Sequence, residues 1–366
     1  MKIGIDISQI VYEGTGVGRF VNGLTDSILQ FDKTNQWTFF FSSLRQNLKP
    51  QIKNTIKKKG HLLLEYRLPP SALSFLWNSL HRMKVEKLVG RQDWFITSDW
   101  TEPPSHMKKA TIVHDLAYLK YPETIHETIL QTQKQRMNWV KKGSKIIFAD
   151  SETTKHDAIQ LCGLEEKKIF VNYPGVQFPE SSAVEITRTH NRFGIQKPFI
   201  LTVGKIEPRK NLKSLIDAFT QINNHSIDLI IVGHQGWDKE TSKKQSQSKS
   251  IKFLSYITDA ELSALYSSCL FFMYPSLYEG FGYPIVEAMK CGAAVATSDS
   301  SSMREIGQDR ALLFDPKNTD ELGLSMRKLI EDVDLRNKLK KQGIMRSRDF
   351  SWKSYYDKMM GILIKH

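Results

Sequence analysis

Short, wholly apolar runs separated by amphipathic stretches constrain this chain more than any other feature. They fall at residues 3–7, 37–41, 94–96, 111–113 and 146–149, then at 199–203, 228–232, 251–254, 270–274 and 293–297. A strand with one wet face alternates apolar and polar residues, whereas a strand in a parallel sheet is covered on both faces and does not. The predicted class is therefore α/β, with helices on both faces of parallel sheets. At 366 residues the chain exceeds the size at which one hydrophobic core stops growing, so two such domains are expected. Their boundary is expected between residues 176 and 198, in a polar linker opened by Pro179, Ser181 and Ser182.

Cysteine usage narrows the setting. Cys162, Cys269 and Cys291 are odd in number, far apart and without metal-ligand spacing, which argues against a disulfide framework and a zinc site and fits a reducing compartment. The N-terminal residues enter a strand directly, with no signal-like apolar region, and no apolar stretch is long enough to span a bilayer. The expectation is a cytosolic protein, bound to a membrane at most from its surface.

Two loops carry chemistry. In the first, the run 270–274 leads through Pro275 into Glu279-Gly280-Phe281-Gly282 and a helix expected from about Pro284, with Glu287 in its first turns. Backbone N–H groups at a helix start lack partners, and glycines let a polar ligand approach them, so carboxylates beside them suit sugar hydroxyls. Such carboxylates repel a diphosphate, whose charge has to be met by cations from elsewhere. The second loop supplies them. After the run 199–203 come Gly204, Lys205, Arg209 and Lys210, followed by an amphipathic helix from residue 212. Point charge, bidentate donors and the helix dipole there act together as a diphosphate clamp.

With these loops in hand, the chain resembles the nucleotide-sugar-dependent glycosyltransferases of family 4 over nearly its whole length. The match rests on the two glutamates separated by seven residues, Glu279 and Glu287, and on the Gly280-Phe281-Gly282 turn. It is supported by Gly14-Thr-Gly-Val-Gly-Arg19, Val113-His114-Asp115, Ser151-Glu152, Tyr173-Pro-Gly-Val176 and Phe350-Ser-Trp352. The resemblance implies the GT-B fold, two Rossmann-like parallel-sheet domains facing a cleft. Residues 1–178 would form an acceptor-binding domain completed by a C-terminal helix over 350–366, and residues 190–349 a nucleotide-sugar-binding domain. It further implies a retaining reaction without metal or cofactor, the nucleoside-diphosphate sugar being substrate. Glu279 and the amides after it would hold the donor sugar, Glu287 the ribose, and Lys205 with Lys210 the diphosphate. The family usually has Arg where this chain has Lys205, which keeps the charge and loses the planar fork. Where the family commonly has an acid after Gly-Val, this chain has Gln177. Gly16 and Arg19 would approach the donor phosphate or the acceptor, and His114 would orient the donor sugar, its tautomer fixed by Asp115.

Other signals point away from competing classes. The Gly14-x-Gly16-x-Gly18 loop is not a dinucleotide fingerprint, since Arg19 and the Ser42-Ser43 strand end do not supply the pattern. Asp332-Val-Asp334 resembles a metal-binding Asp-x-Asp, but it sits in a helical pattern with its acids on the solvated face, and no metal is expected. The formal charge of +13 concentrates partly between Arg45 and Arg91, where Lys57, Lys58, Lys59, Arg67, Arg82, Lys84 and Lys87 interleave with Leu73, Phe75, Leu76, Trp77 and Leu80. Two readings of that segment stand: a surface for anionic lipid, or a solvated face over a core helix. No nucleic-acid motif accompanies the charge. The expected activity is transfer of a hexose, mannose or a related sugar, from a nucleotide sugar to a glycan or lipid-linked acceptor in surface polysaccharide synthesis. The alternatives are a UDP-glucose-type donor and a non-catalytic GT-B scaffold.

Overall fold

The computed structural model describes residues 1–12, 14–97, 99–234, 236, 238 and 249–366. They fall into two compact units, Met1–Gly175 with Ser351–His366, and Val176–Phe350. In the first, β1 (Lys2–Asp6), β2 (Gln36–Ser42), β3 (Leu62–Tyr66), β4 (Trp94–Thr97), β5 (Lys108–Val113), β6 (Ile146–Ala149) and β7 (Ile169–Val171) form one sheet in the order β3-β2-β1-β4-β5-β6-β7. In the second, β8 (Phe199–Val203), β9 (Asp228–Val232), β10 (Ile251–Leu254), β11 (Phe271–Tyr274), β12 (Val295–Ser298) and β13 (Leu312–Phe314) run β10-β9-β8-β11-β12-β13. The pairings in both sheets are parallel, and the two-sided burial of the central strands is what removed any alternation from their sequences. Both orders reverse direction beside the first strand of the unit, which is where open α/β sheets place ligands beyond the strands' carboxyl ends.

Residues 182–193 of the expected linker are ordered differently. Ser182 and Glu185 form a reciprocal capping box, and the helix Ala183–Phe193 that it opens packs on the helix Asp259–Ser268 of the second unit. At the other end of that unit, Asp332 caps the helix Val333–Ser347 by accepting the Leu335 N–H, so one carboxylate of the Asp-x-Asp pair has a structural task.

The helix Trp352–Lys365 lies in the first unit against the helix Gly16–Phe31. Close contact depends on two glycines. A Cβ at Gly23 would lie 2.1 Å from the Trp352 ring, and one at Gly175 would lie 2.3 Å from the Trp352 backbone nitrogen. Phe20, from the apolar face of Gly16–Phe31, meets the rings of both Trp352 and Tyr355 edge-on at 5.5 and 5.4 Å.

Candidate active site

In the second unit the cation loop and the glutamate loop meet. Gly204 follows β8 and passes so near β9 that a Cβ at Gly233 would lie 1.9 Å from the Gly204 carbonyl oxygen. That close passage leads the chain into the short turn Pro208–Lys210 and then the helix Leu212–Ile222. Asn211, at φ 56°, makes the joint, and its side-chain amide donates to the Pro275 and Pro316 carbonyls. The two adjacent cations are thereby aimed at one carboxylate. Lys210 Nζ lies 2.6 Å from Glu279 Oε1, and Arg209 Nη1 lies 3.0 Å from Glu279 Oε2.

Further groups fix this cluster. Arg209 also pairs with Glu207 at 2.8 Å and donates to the Tyr278 carbonyl. The Tyr274 hydroxyl, at the end of β11, accepts from Lys210 and donates to Glu279, both at 2.9 Å. Ser301 accepts the Glu279 N–H, and Ser302 donates to the carbonyls of Glu279 and Phe281. Burial acts to raise the Glu279 pKa, but Arg209 and Lys210 prevail and hold it at about 2. Burial lowers the Lys210 pKa, with Glu279 opposing.

The remaining residues of these loops divide. Gly282, at φ 97°, turns the chain into the helix Tyr283–Lys290, whose first N–H groups receive no side-chain cap. Phe281 points inward, edge-on to Phe350 at 5.4 Å, so only its backbone is left for a ligand. Glu287 is 3% exposed and accepts from the Tyr266 hydroxyl at 3.3 Å. Lys205 is exposed and stands outside the Arg209–Lys210–Glu279 cluster.

The first unit builds a different centre. Val113 pairs with Ala149, so the next residues on β5 and β6 are His114 and Asp150, and their side chains meet with Nδ1 2.7 Å from Oδ2. The expectation that Asp115 fixes the imidazole is therefore corrected. Neighbours along one strand point apart, and Asp115 accepts the Ala117 N–H at 2.9 Å, while Asp150 stands directly across the sheet. Burial disfavours charge on His114, yet Asp150, helped by Asp99, outweighs it and raises the imidazole pKa above its ordinary value. Arg136, 1% exposed, ties Asp99 to the sheet by donating to Thr111 and the Ile112 carbonyl, each at 2.8 Å. Phe20 stands edge-on to the imidazole at 4.5 Å. Nε2 of His114 makes no bond to a described residue; with Nδ1–H donating to Asp150, it accepts in the neutral ring and donates once the imidazole is protonated.

The Gly14–Gly18 loop opens the helix Gly16–Phe31, with Thr15 as its cap. Gly18 is required there, since a Cβ would meet the Tyr12 carbonyl oxygen at 2.1 Å. Gly16 is exposed at the helix start, and Arg19 is half-buried one turn on. In the basic segment Trp77 and Leu73 are core residues, whereas Phe75 and Leu80 stay 59% and 47% exposed. Among the described residues no helix is long and apolar enough to cross a membrane.

These centres can be set beside known proteins. Residues 185–346 match the model of the glycosyl transferases group 1 family. HepE of Anabaena, solved with UDP and glucose, has the same fold at TM-score 0.76 and 18% identity, with all of both chains covered. O-antigen chain mannosyltransferase B of Escherichia coli is 25% identical over 97% of this chain and 97% of its own. The chain is a GT-B glycosyltransferase. Serotype-specific mannosyltransferase WbdA of Escherichia coli is 29% identical over 56% of this enzyme, which spans 27% of WbdA. The group 1 match contains Arg209, Lys210, Glu279 and Glu287, and the His114 centre lies outside it.

Tyr274, Glu207, Ser301 and Ser302 in the glycosyltransferase, and Asp150, Asp99 and Arg136, were not anticipated as site residues. Tyr274 and Asp150 had a signal: each ends or directly follows a buried strand, at the carboxyl edge of its sheet. Arg136 had none, because it lies in a helix far along the chain.

Proposed function

We propose that the enzyme is a retaining transferase of family 4 that moves a hexose, mannose foremost, from a nucleoside-diphosphate sugar to a glycan or lipid-linked acceptor in surface polysaccharide synthesis. The observation that carries this reading is the Arg209–Lys210–Glu279 cluster, two partly buried cations on one carboxylate beside an uncapped helix start. In this reading Arg209 and Lys210, with Lys205 and the Gly204 backbone, take the diphosphate and stabilise its departing charge. Glu279 and the amides of Gly280, Phe281 and Gly282 hold sugar hydroxyls, and Glu287 holds the ribose diol. His114, oriented by Asp150, presents Nε2 to the donor sugar. Residues 1–178 serve the acceptor, with Gly16 and Arg19 of their glycine loop approaching the donor phosphate or that acceptor. Mannose is favoured by the likeness to O-antigen chain mannosyltransferase B. The structural likeness to HepE, solved with UDP and glucose, makes a UDP-sugar the second reading.

Because the positive charge comes from side chains, turnover is expected to survive EDTA; loss restored by magnesium or manganese would overturn that part. Calorimetry with GDP-mannose and UDP-glucose decides between the donors. Glu287→Ala should weaken the preferred nucleotide by about 1.5–3 kcal/mol, the range for a hydrogen bond to a charged group. Equal affinity of both proteins would remove Glu287 from the donor site. Work on the cytosolic face, with peripheral contact to anionic lipid through Phe75, Leu80 and the neighbouring lysines, belongs to the same proposal.

A further inference from the structure

The first unit contains a cavity of about 660 Å³ that no donor role uses. It lies between the turn Ser8–Val11 after β1, the start of the helix Gly16–Phe31, and the stretch that leads from β2 into the helix Pro50–Lys58. Its volume falls within the range of roughly 300–1,000 Å³ typical of small-molecule sites, and exceeds what one pyranose ring fills.

The lining is chemically mixed in a specific way. Ile10 and Leu48, 8% and 2% exposed, give it an apolar floor. Above them stand Tyr12, 39% exposed, and the amides of Asn22, Gln46 and Asn47, of which Asn22 donates to Asp26 at 3.1 Å. The side-chain amides of Gln46 and Asn47 make no hydrogen bond to a described residue, and both residues are exposed. Among the described lining residues Lys49 is the one charged group.

Each ligand class makes its own demand on such a wall. A phosphate or uronate would call for several cations, as the Arg209–Lys210 cluster supplies in the other unit. A polyprenyl chain would strip water from the Gln46 and Asn47 amides and return no hydrogen bond. A neutral sugar chain answers both surfaces: amides pair with adjacent hydroxyls as donor and acceptor together, and a ring's C–H face packs on Tyr12 and the apolar floor.

We propose that this cavity seats an uncharged oligosaccharide, the acceptor glycan, across more than one sugar unit. The proposal rests on the reading that the first unit serves the acceptor, and it names the class of that acceptor and the residues that select it.

The test is saturation-transfer NMR on the full chain with three neutral trisaccharides (α-linked mannotriose, maltotriose and chitotriose) and with trigalacturonate. At least one neutral trisaccharide is expected to bind, and neither GDP nor UDP should displace it. Asn47→Trp, a change on an exposed loop residue that fills the mouth, should abolish the signal while the melting temperature holds. Tyr12→Ala should weaken affinity about fivefold, the scale of one aromatic contact. Lys33→Trp, at an exposed position outside the cavity, should leave binding as it was. Failure of all three neutral sugars, preference for trigalacturonate, or binding that survives both Asn47→Trp and Gln46→Trp would overturn the proposal. Nucleotide binding read in the same samples keeps the two ideas apart, since its loss would count against the donor site alone.

Discussion

The second unit's cluster is built from contacts that a ligand can replace, and the first unit's from contacts that hold one ring still. Arg209 and Lys210 both pair with Glu279, a partner that the diphosphate of the proposed function would succeed. His114 gives one nitrogen to Asp150, is flanked by Phe20, and keeps the other nitrogen for use. Both centres lie beyond the carboxyl ends of parallel strands, so the shared architecture dictates where chemistry is placed and the loops dictate its sign. The contrast extends to pH. Glu279 has a depressed pKa, so its contribution to stability is present above the ordinary 4.5 and is lost as pH falls towards about 2. His114 has a raised one, so its contribution is complete below 6.5 and is lost as pH rises through the folded value.

The largest effect should come from the exchangeable cluster. In the proposed function Lys210 meets the departing diphosphate, so Lys210→Ala should lower kcat by about 10²–10³-fold, the scale for losing one preorganised donor to developing charge. A kcat within twofold of wild type, read in steady-state turnover, would mean that the two centres do not differ as described. Next comes the brace. Asp150→Asn keeps the shape but deletes the charge, so the His114 titration followed by NMR should move down. The alkaline limb of the pH–rate profile should move with it, while nucleotide affinity in the second unit is untouched. An unmoved titration would show that Asp150 does not govern the imidazole. The smallest effect concerns the exposed apolar residues of the first unit. Sedimentation with anionic vesicles, and not neutral ones, should weaken when Lys57, Lys58 and Lys59 become Gln, each lysine adding on the order of 1 kcal/mol near such a surface. Equal sedimentation with both vesicle types would make Phe75 and Leu80 ordinary solvated residues.

Most of the fold could be read from the chain because buried parallel strands announce themselves as uninterrupted apolar runs. The strands that escaped, β3, β7 and β13, lie at sheet edges; β7 and β13 are three residues long, and Leu62 in β3 is 47% exposed. A short run with one wet side does not stand out from its surroundings. The helix Ala183–Phe193 was hidden behind polar residues that turned out to be its cap. In the site, Arg209, Lys210 and Glu279 were legible because glycines and charge cluster locally. Their convergence on one carboxylate was not, since it depends on β8 and β11 being neighbours. The His114–Asp150 pair likewise exists only through strand register, which no local pattern in either segment encodes.

The helix Trp352–Lys365 gives the first unit an unusual timetable. Its residues Trp352 and Tyr355 brace Phe20, and Phe20 braces His114, yet the ribosome reaches them only after the whole of Val176–Phe350 has been made. Until then the groove beside Gly23 stands open and the imidazole lacks its backing. The part of the enzyme that is translated first is thus the part whose His114 ring is backed last, so a nascent chain can complete the Arg209–Lys210–Glu279 cluster while its histidine centre is still unassembled.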